Sequence, residues 1–213
     1  MNHSKSLLII STEFPPHPGG IGNHSFNLAN EMVKRKIDVS VFTNFDKSLN
    51  YNLDSFDKAQ KYNINRFRHF KFHFITYFIR IIDIYIYIKK KNFDVIVCSG
   101  KFSLWLGWLI KKRYPQQHIN AIVHGSELKP SNLLFHYLTS LSLSYFDVII
   151  SVSNFTKSLL NDNLKNKTRV VPNGISFKGK HIFKSNKALN GSPIFLTVGS
   201  LTQRKGQKIF IRV

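Results

Sequence analysis

The sequence predicts an α/β protein built on a doubly wound, mostly parallel sheet, with a second domain of the same kind only begun near the carboxyl end. Three observations predict it. Short apolar runs rich in β-branched residues recur between Leu7 and Val171, each followed by a loop and most by a helical pattern. A stretch rich in Lys, Asn and Gly, 176–192, then separates that series from a fresh apolar run at Ile194–Val198. A chain of 213 residues holds one such domain and a fraction of another.

The elements follow in order. Leu7–Thr12 reads as the first strand, a Pro/Gly loop follows, and the helical pattern runs from about Asn23 to Lys36. Asp38–Thr43 is the second strand, and the polar stretch 44–61 reads as a loop with a short helix. Tyr62–Phe67 is a weak third strand before an aromatic helix over 72–90. Val95, Ile96 and Val97 are consecutive and β-branched, so Asp94–Cys98 is a strand buried on both faces. Phe102–Lys112 is a helix with Trp105, Trp108 and Leu109 on its apolar side. Ile119–Val123 is a strand that delivers His124-Gly125, and a helix follows over about 131–145. Val148–Val152 is a strand, Ser153 or Asn154 caps a helix running to Leu160, and Arg169–Val171 is a short strand closed by Pro172-Asn173-Gly174. The arrangement is Rossmann-like, and in such sheets ligands bind at the carboxyl ends of the strands.

Bulk properties narrow the partners. Lys and Arg number 31 against 11 Asp and Glu, a formal charge of +20, which favours anions such as nucleotide diphosphates and acidic lipid headgroups. A compositional bias toward Lys, Asn, Ile and Phe yields the same charge without any partner. The basic residues are scattered and no nucleic-acid-binding module is present, so no nucleic acid is expected. Cys98 is the sole cysteine, which excludes an intrachain disulfide and fits a reducing cytoplasm. The apolar stretch Leu7–Ile10 is too short for a signal-peptide core. Arg80 and Asp83 interrupt the hydrophobic run 72–88, so it reads as a buried amphipathic helix and not a membrane span.

Three segments carry chemistry. Gly19 and Gly20 lie between the first strand and first helix, where backbone without Cβ atoms and free N–H groups at a helix start suit an anion. A tight turn needing glycine is the simpler alternative, and the spacing matches neither a dinucleotide fingerprint nor a P-loop. His124 ends a strand at the crevice mouth, where an imidazole suits a sugar hydroxyl or a phosphate oxygen. Glu127 reads as a cap or a surface residue, with acceptor contact as the alternative. Arg204 and Lys205 begin a helix after the last apolar run, and two cations there suit a leaving diphosphate. His17, His24 and His124 show no metal-ligand spacing, so no metal is expected.

These pieces, with Phe14-Pro15-Pro16-His17-Pro18-Gly19-Gly20-Ile21-Gly22-Asn23-His24, Asp94-Val95-Ile96-Val97, His124-Gly125-Ser126-Glu127, Ser151-Val152-Ser153, Val171-Pro172-Asn173-Gly174-Ile175 and Val198-Gly199-Ser200-Leu201 running into Arg204-Lys205-Gly206, resemble the family-4 glycosyltransferases in order and spacing. The resemblance implies a GT-B fold, with 1–175 as the acceptor-side domain, 176–192 as a linker and 193–213 as the start of the donor-side domain. It further implies sugar transfer with retention from a nucleotide-diphosphate sugar to a glycan or lipid-linked acceptor, without cofactor or metal. His124 would lie by the donor sugar, and Arg204 and Lys205 by the donor phosphates. Ser200 stands where the family often has a second arginine, and the family's Glu-x7-Glu motif does not occur in this sequence. A chain holding half the donor cleft is expected not to turn over by itself, and to act with a complementing carboxyl-terminal chain or as a binding module. The alternating basic and aromatic residues of Arg66–His73 suit an anionic membrane surface, which would place the protein peripherally on the cytoplasmic face.

Overall fold

The computed structural model describes residues 5–45, 53–67, 70, 72–128, 132–174, 199 and 206–210. The chain divides into two compact units, Met1–Ser176 and Phe177–Val213. The second unit is described only at Gly199 and around a four-residue helix, Gln207–Phe210. The expected strand Ile194–Val198 lies outside the described residues.

The first unit is a seven-stranded, wholly parallel sheet. Its strands are β1 (Ser6–Ser11), β2 (Asp38–Asn44), β3 (Asn63–Phe67), β4 (Val95–Ser99), β5 (His118–Val123), β6 (Val148–Ser151) and β7 (Thr168–Val170), in the spatial order β3-β2-β1-β4-β5-β6-β7. The helices are α1 (Gly20–Lys34), α2 (Leu53–Lys58), α3 (His73–Lys90), α4 (Lys101–Arg113), α5 (Leu133–Ser144), α6 (Asn154–Ser158) and α7 (Asp162–Lys165). All expected elements of this unit are present, with α7 in addition. Four residues leave too short a pattern for α7 to be read from periodicity.

Strand alternation divides the core into two layers. Leu7 and Ile9 of β1, Val39 and Val41 of β2, and Val97 of β4 pack with Phe14 and Ala29 on the α1 side. Leu8, Ile10, Ile96, Cys98, Ala121 and Val123 face the other way, against Ile84 and Ile88 of α3 and Leu104, Leu106 and Ile110 of α4. Burial of Cys98 holds its thiol protonated, far above its ordinary range.

α3 buries one i, i+4 stripe: Thr76, Arg80, Ile84 and Ile88. Its opposite stripe is also apolar, and Phe78, Ile82 and Ile86 are exposed. Among the described residues no helix is long and apolar enough to cross a membrane. α4 departs from its expected orientation. Its buried residues are Ser103, Leu104, Leu106, Gly107 and Ile110, whereas Trp105, Trp108 and Leu109 are half-buried and turn toward α5 and α3. Gly107 explains the choice: a Cβ there would meet the Phe146 ring and Cys98 Sγ, so this glycine is the closest point of helix on sheet.

α1 is seated in the same way through Gly22. A Cβ at Gly22 would lie 3.1 Å from the Phe14 backbone N and 3.2 Å from the Glu13 carbonyl carbon, both backbone atoms that cannot move aside, whereas one at Gly20 would meet nothing within 4 Å. Gly22→Ala should therefore lower stability by about 1–3 kcal/mol, and Gly20→Ala should be neutral or slightly stabilising. Urea midpoints of the two variants check this, and equal midpoints would contradict the close approach.

Candidate functional site: the crevice at the β1/β4 switch point

β1 and β4 are neighbours, but the chain leaves β1 for α1 on one face and β4 for α4 on the other. Their carboxyl ends therefore diverge and open a crevice. Its floor is polar and closed by hydrogen bonds. Thr12 N donates to Ser99 O at 3.1 Å, Ser11 Oγ donates to Glu13 O at 2.7 Å, and Ser25 Oγ of α1 donates to Ser11 Oγ at 2.9 Å. Asn44 Nδ2 donates to Thr12 O at 2.8 Å. Gly100 has φ of +88°, and the space a Cβ would take is filled by Thr12 Oγ1, so backbone conformation and close approach both demand glycine.

Gly19 and Gly20 open α1 at the crevice. No side chain caps the helix, and its first bond runs from Asn23 N to Gly19 O, which leaves the N–H groups of Gly20, Ile21 and Gly22 without intrahelical partners. The two glycines are not equivalent. The side of Gly19 where a Cβ would stand is occupied by the Glu13 carboxylate, whereas Gly20 faces open space and lines a cavity of about 540 Å³ with Asn23, His24, Asn27, Pro172 and Asn173. The anion-attracting helix start thus already has a carboxylate beside it, a neighbour that sequence reasoning missed because nothing in the spacing of Glu13 and Gly19 shows the loop folding back.

His124 follows β5 and is held by two contacts. Its Nε2 lies 3.0 Å from Ser99 Oγ, and its backbone N–H donates to the Glu127 carboxylate at 3.2 Å. Nδ1 of His124 has no hydrogen-bond partner among the described residues. The His24 ring stands edge-on to that of His124 with centroids 5.2 Å apart, and its Nδ1 is buried without a hydrogen-bond partner. Burial pulls both imidazoles from the usual 6.5 down to about 4, and for His24 the neighbouring His124 adds to the effect. Both are consequently neutral near pH 7, and His124 can meet a sugar or phosphate as a hydrogen-bond partner and not as a counterion.

Glu127 is neither a surface residue nor exposed to an acceptor. It is buried, and its carboxylate accepts from the backbone N–H of His124 and from Ser126 Oγ, which folds 124–127 into a tight turn. Burial raises its pKa despite those hydrogen bonds. Gly125 sits in this turn at φ +102° with Thr156 Oγ1 3.3 Å from where a Cβ would lie.

Arg66 was read as one of a membrane-facing series, and the structure corrects this. Its guanidinium forks onto Asp57, with Nε to Oδ2 and Nη2 to Oδ1 at 2.8 Å each, and Nη2 also donates to Pro15 O at 2.7 Å. It therefore braces the loop leading to Gly19. Phe67 beside it is buried and Phe70 and Phe72 are exposed, while Arg68, His69 and Lys71 lie outside the described residues. Arg204 and Lys205 lie outside the described residues. Among the described residues no group of three His, Cys, Asp or Glu side chains could hold a metal ion.

The chain and its fold are similar to those of known proteins. A model of Glycosyltransferase Family 4 fits residues 18–178, well over half of the chain, and the chain belongs to that family. Over 208 residues it is 29% identical to an uncharacterized glycosyltransferase of Methanocaldococcus jannaschii, covering 96% of this chain and 55% of that one. Sucrose-phosphate synthase from Thermosynechococcus elongatus superposes with a TM-score of 0.62 at 15% identity, over 79% of this chain and 48% of its own. The Anabaena protein HepE, solved in complex with UDP, gives 0.60 at 12% identity, over 80% and 44%. At such identities the two structures speak for the fold alone, which is that of a GT-B amino-terminal domain. The chain spans about half the length of the relatives it matches.

The two imidazoles generate a pH prediction. Their folded pKa values lie below the unfolded value, so between pH 6.5 and about 4 the unfolded chain binds protons that the folded chain refuses, and stability falls as pH falls through that window. Glu127, shifted upward, acts in the opposite sense at its lower end. Imidazole Cε1 protons followed by NMR should give two midpoints near 4, and midpoints near 6.5 for both would mean that the crevice is open to water.

Proposed function

We propose that this chain supplies the acceptor-side half of a retaining glycosyltransferase that moves a sugar from a nucleotide-diphosphate donor to an acceptor held by residues 1–175. The division of labour along the chain belongs to the same proposal, with 176–192 as linker and 193–213 as the beginning of the donor side. One observation carries the reading: a neutral His124 at the switch-point crevice, held by Ser99 on one side and Glu127 on the other. A neutral imidazole anchored in this way can orient a sugar hydroxyl beside the reacting carbon without drawing the diphosphate onto itself.

In this reading Gly20 presents unpaired backbone N–H groups toward the donor diphosphate, and Gly19 joins it when the Glu13 carboxylate swings aside. Arg204 and Lys205 balance the charge that develops on the leaving nucleoside diphosphate, where electrostatic stabilisation has its largest effect. The HepE relative, solved with UDP, supports a nucleoside diphosphate as the group released. Transfer needs no metal and no cofactor in this scheme. It takes place on the cytoplasmic side, where nucleotide sugars are the donors.

The test uses the protein produced from its own gene, mixed with nucleotide sugars and with glycan and lipid-linked acceptors, and followed by nucleoside diphosphate release and product NMR. His124→Ala should lower turnover by about 100- to 1,000-fold, the range for removing one preorganised hydrogen-bond partner, and the product should keep the donor's anomeric configuration. Inversion would overturn retention. An unchanged rate in His124→Ala would remove that residue from the site.

A further inference from the structure

On the face of the sheet opposite α1, a cavity of about 740 Å³ opens between α3, α4 and α5 and reaches Thr12 and Asn44 at the carboxyl ends of β1 and β2. Its walls are apolar and aromatic, formed chiefly by Ile81, Phe102, Trp105, Trp108, Phe135 and Leu138. Among the described residues no carboxylate lines it, yet two cations do.

Arg80 is the first. It is 4% exposed, standing in the buried stripe of α3 where an apolar residue would be the ordinary choice. Its guanidinium lies 5.5–5.6 Å from the ring centroids of Phe67, Tyr77 and Phe102, and among the described residues it forms no ion pair and its buried Nε has no hydrogen-bond partner. Lys101 is the second, with Nζ 4.5 Å from the Phe135 centroid and 5.5 Å from that of Trp105, and no carboxylate within reach among the described residues. Trp108 Nε1 adds another buried donor with no partner. Ring faces compensate a buried cation only in part, and a site with surplus donors and no anion is incomplete without one.

The apolar character continues beyond the cavity. α3 exposes Phe78 and Ile82, and α5 exposes Leu133, Leu134 and Tyr137, on the two helices that bound the opening. A glycan would find few hydrogen-bonding groups here, since Thr12, Asn44 and Ser142 are the uncharged polar side chains that line the cavity apart from the tryptophan and tyrosine edges. An anion attached to a hydrocarbon chain satisfies both halves of the surface.

We propose that this cavity binds a phosphorylated lipid, its phosphate between Arg80 and Lys101 and its chain along Trp105, Trp108 and Phe135. The assignment deepens the transferase reading and rests on it in one respect: it makes this lipid the acceptor, a phosphate oxygen of which bonds to the anomeric carbon as that carbon's bond to the nucleoside diphosphate breaks and the nucleoside diphosphate leaves. Thr12 joins the two places, lining the cavity while its N–H donates to Ser99 O, whose side chain holds His124.

Trp105 and Trp108 are the protein's two tryptophans, so fluorescence excited selectively in tryptophan and not in tyrosine reports on the walls of this cavity. Decyl phosphate, titrated into the 213-residue chain below its micelle concentration, should shift the emission saturably. Inorganic phosphate should leave it unchanged, and decanol should bind at least tenfold more weakly. Arg80→Gln and Lys101→Gln should each raise the Kd for decyl phosphate at least tenfold, with Lys101→Arg restoring it. Because Arg80 lies in the core, circular dichroism must show that its variant is folded, and Lys101, half-buried, carries the comparison if it is not. The proposal is overturned by no response to decyl phosphate, by equal affinity for decanol, by an equal response to inorganic phosphate, or by a Kd unmoved in folded Lys101→Gln. Hydrolysis of the nucleotide sugar by the protein produced from its own gene, measured without lipid with water as the acceptor, tests the transferase reading separately, so either reading can fail alone.

Discussion

β1 pairs in parallel with β2 along one edge and with β4 along the other, and all six of its residues are buried. A strand in that position has every backbone group spoken for and must send side chains into both layers, which is why Leu7 and Ile9 serve one core and Leu8 and Ile10 the other. The crevice is a consequence of the same pairing. Chains leaving β1 and β4 for opposite faces cannot stay in contact beyond Thr12 and Gly100, so the one wide gap at the sheet's carboxyl edge falls between them.

The two edges of the sheet are finished with different chemistry. At the amino edge the scarce carboxylates are spent on structure: Asp94 accepts from Ser6 N at 2.6 Å, Asp147 accepts from Ile119 N at 2.8 Å and pairs with Lys111, and Asp38 pairs with Lys91. At the carboxyl edge the strands end in buried hydroxyls: those of Ser11, Ser99 and Ser151 bond to neutral groups, and Thr43 Oγ1 has no hydrogen-bond partner among the described residues. Only Glu13 and Glu127 bring negative charge to the loops that follow β1 and β5, and Glu127 is consumed in holding the His124 backbone. In a chain so rich in cations, this placement leaves Arg80 and Lys101 facing a cavity that no carboxylate lines among the described residues.

The sheet and its helices were legible in the sequence because parallel strands buried on both faces read as continuous β-branched runs, and because Gly and Pro mark the loops between them. The family was legible for a related reason: the spacing from Gly19-Gly20 through His124-Gly125 to Pro172-Asn173-Gly174 is set by strand and helix lengths that the fold cannot vary freely. Sequence alone also placed His124 at a strand end. What it left open were the neighbours of each residue. Glu127 read as a cap or a surface residue, with acceptor contact as the alternative, and only the turn of 124–127 brings the His124 N–H to it. Trp105, Trp108 and Leu109 share a helical face, but whether that face meets the sheet or a cavity depends on where Gly107 lets α4 make its closest approach. Arg66 read as one basic residue among many until Asp57 and Pro15 O were found around it.

The local pattern of apolar residues and turn formers therefore determined the element order, the parallel sheet and the position of the crevice, since these follow from periodicity and from the handedness of strand connections. Tertiary structure decided which polar groups are satisfied. The neutral state of His24 and His124, the carboxylate against Gly19 and the unpaired cation in α3 arise from contacts between segments far apart in the chain, and burial, which sets their charge, is a property of the folded molecule and not of any one stretch of it.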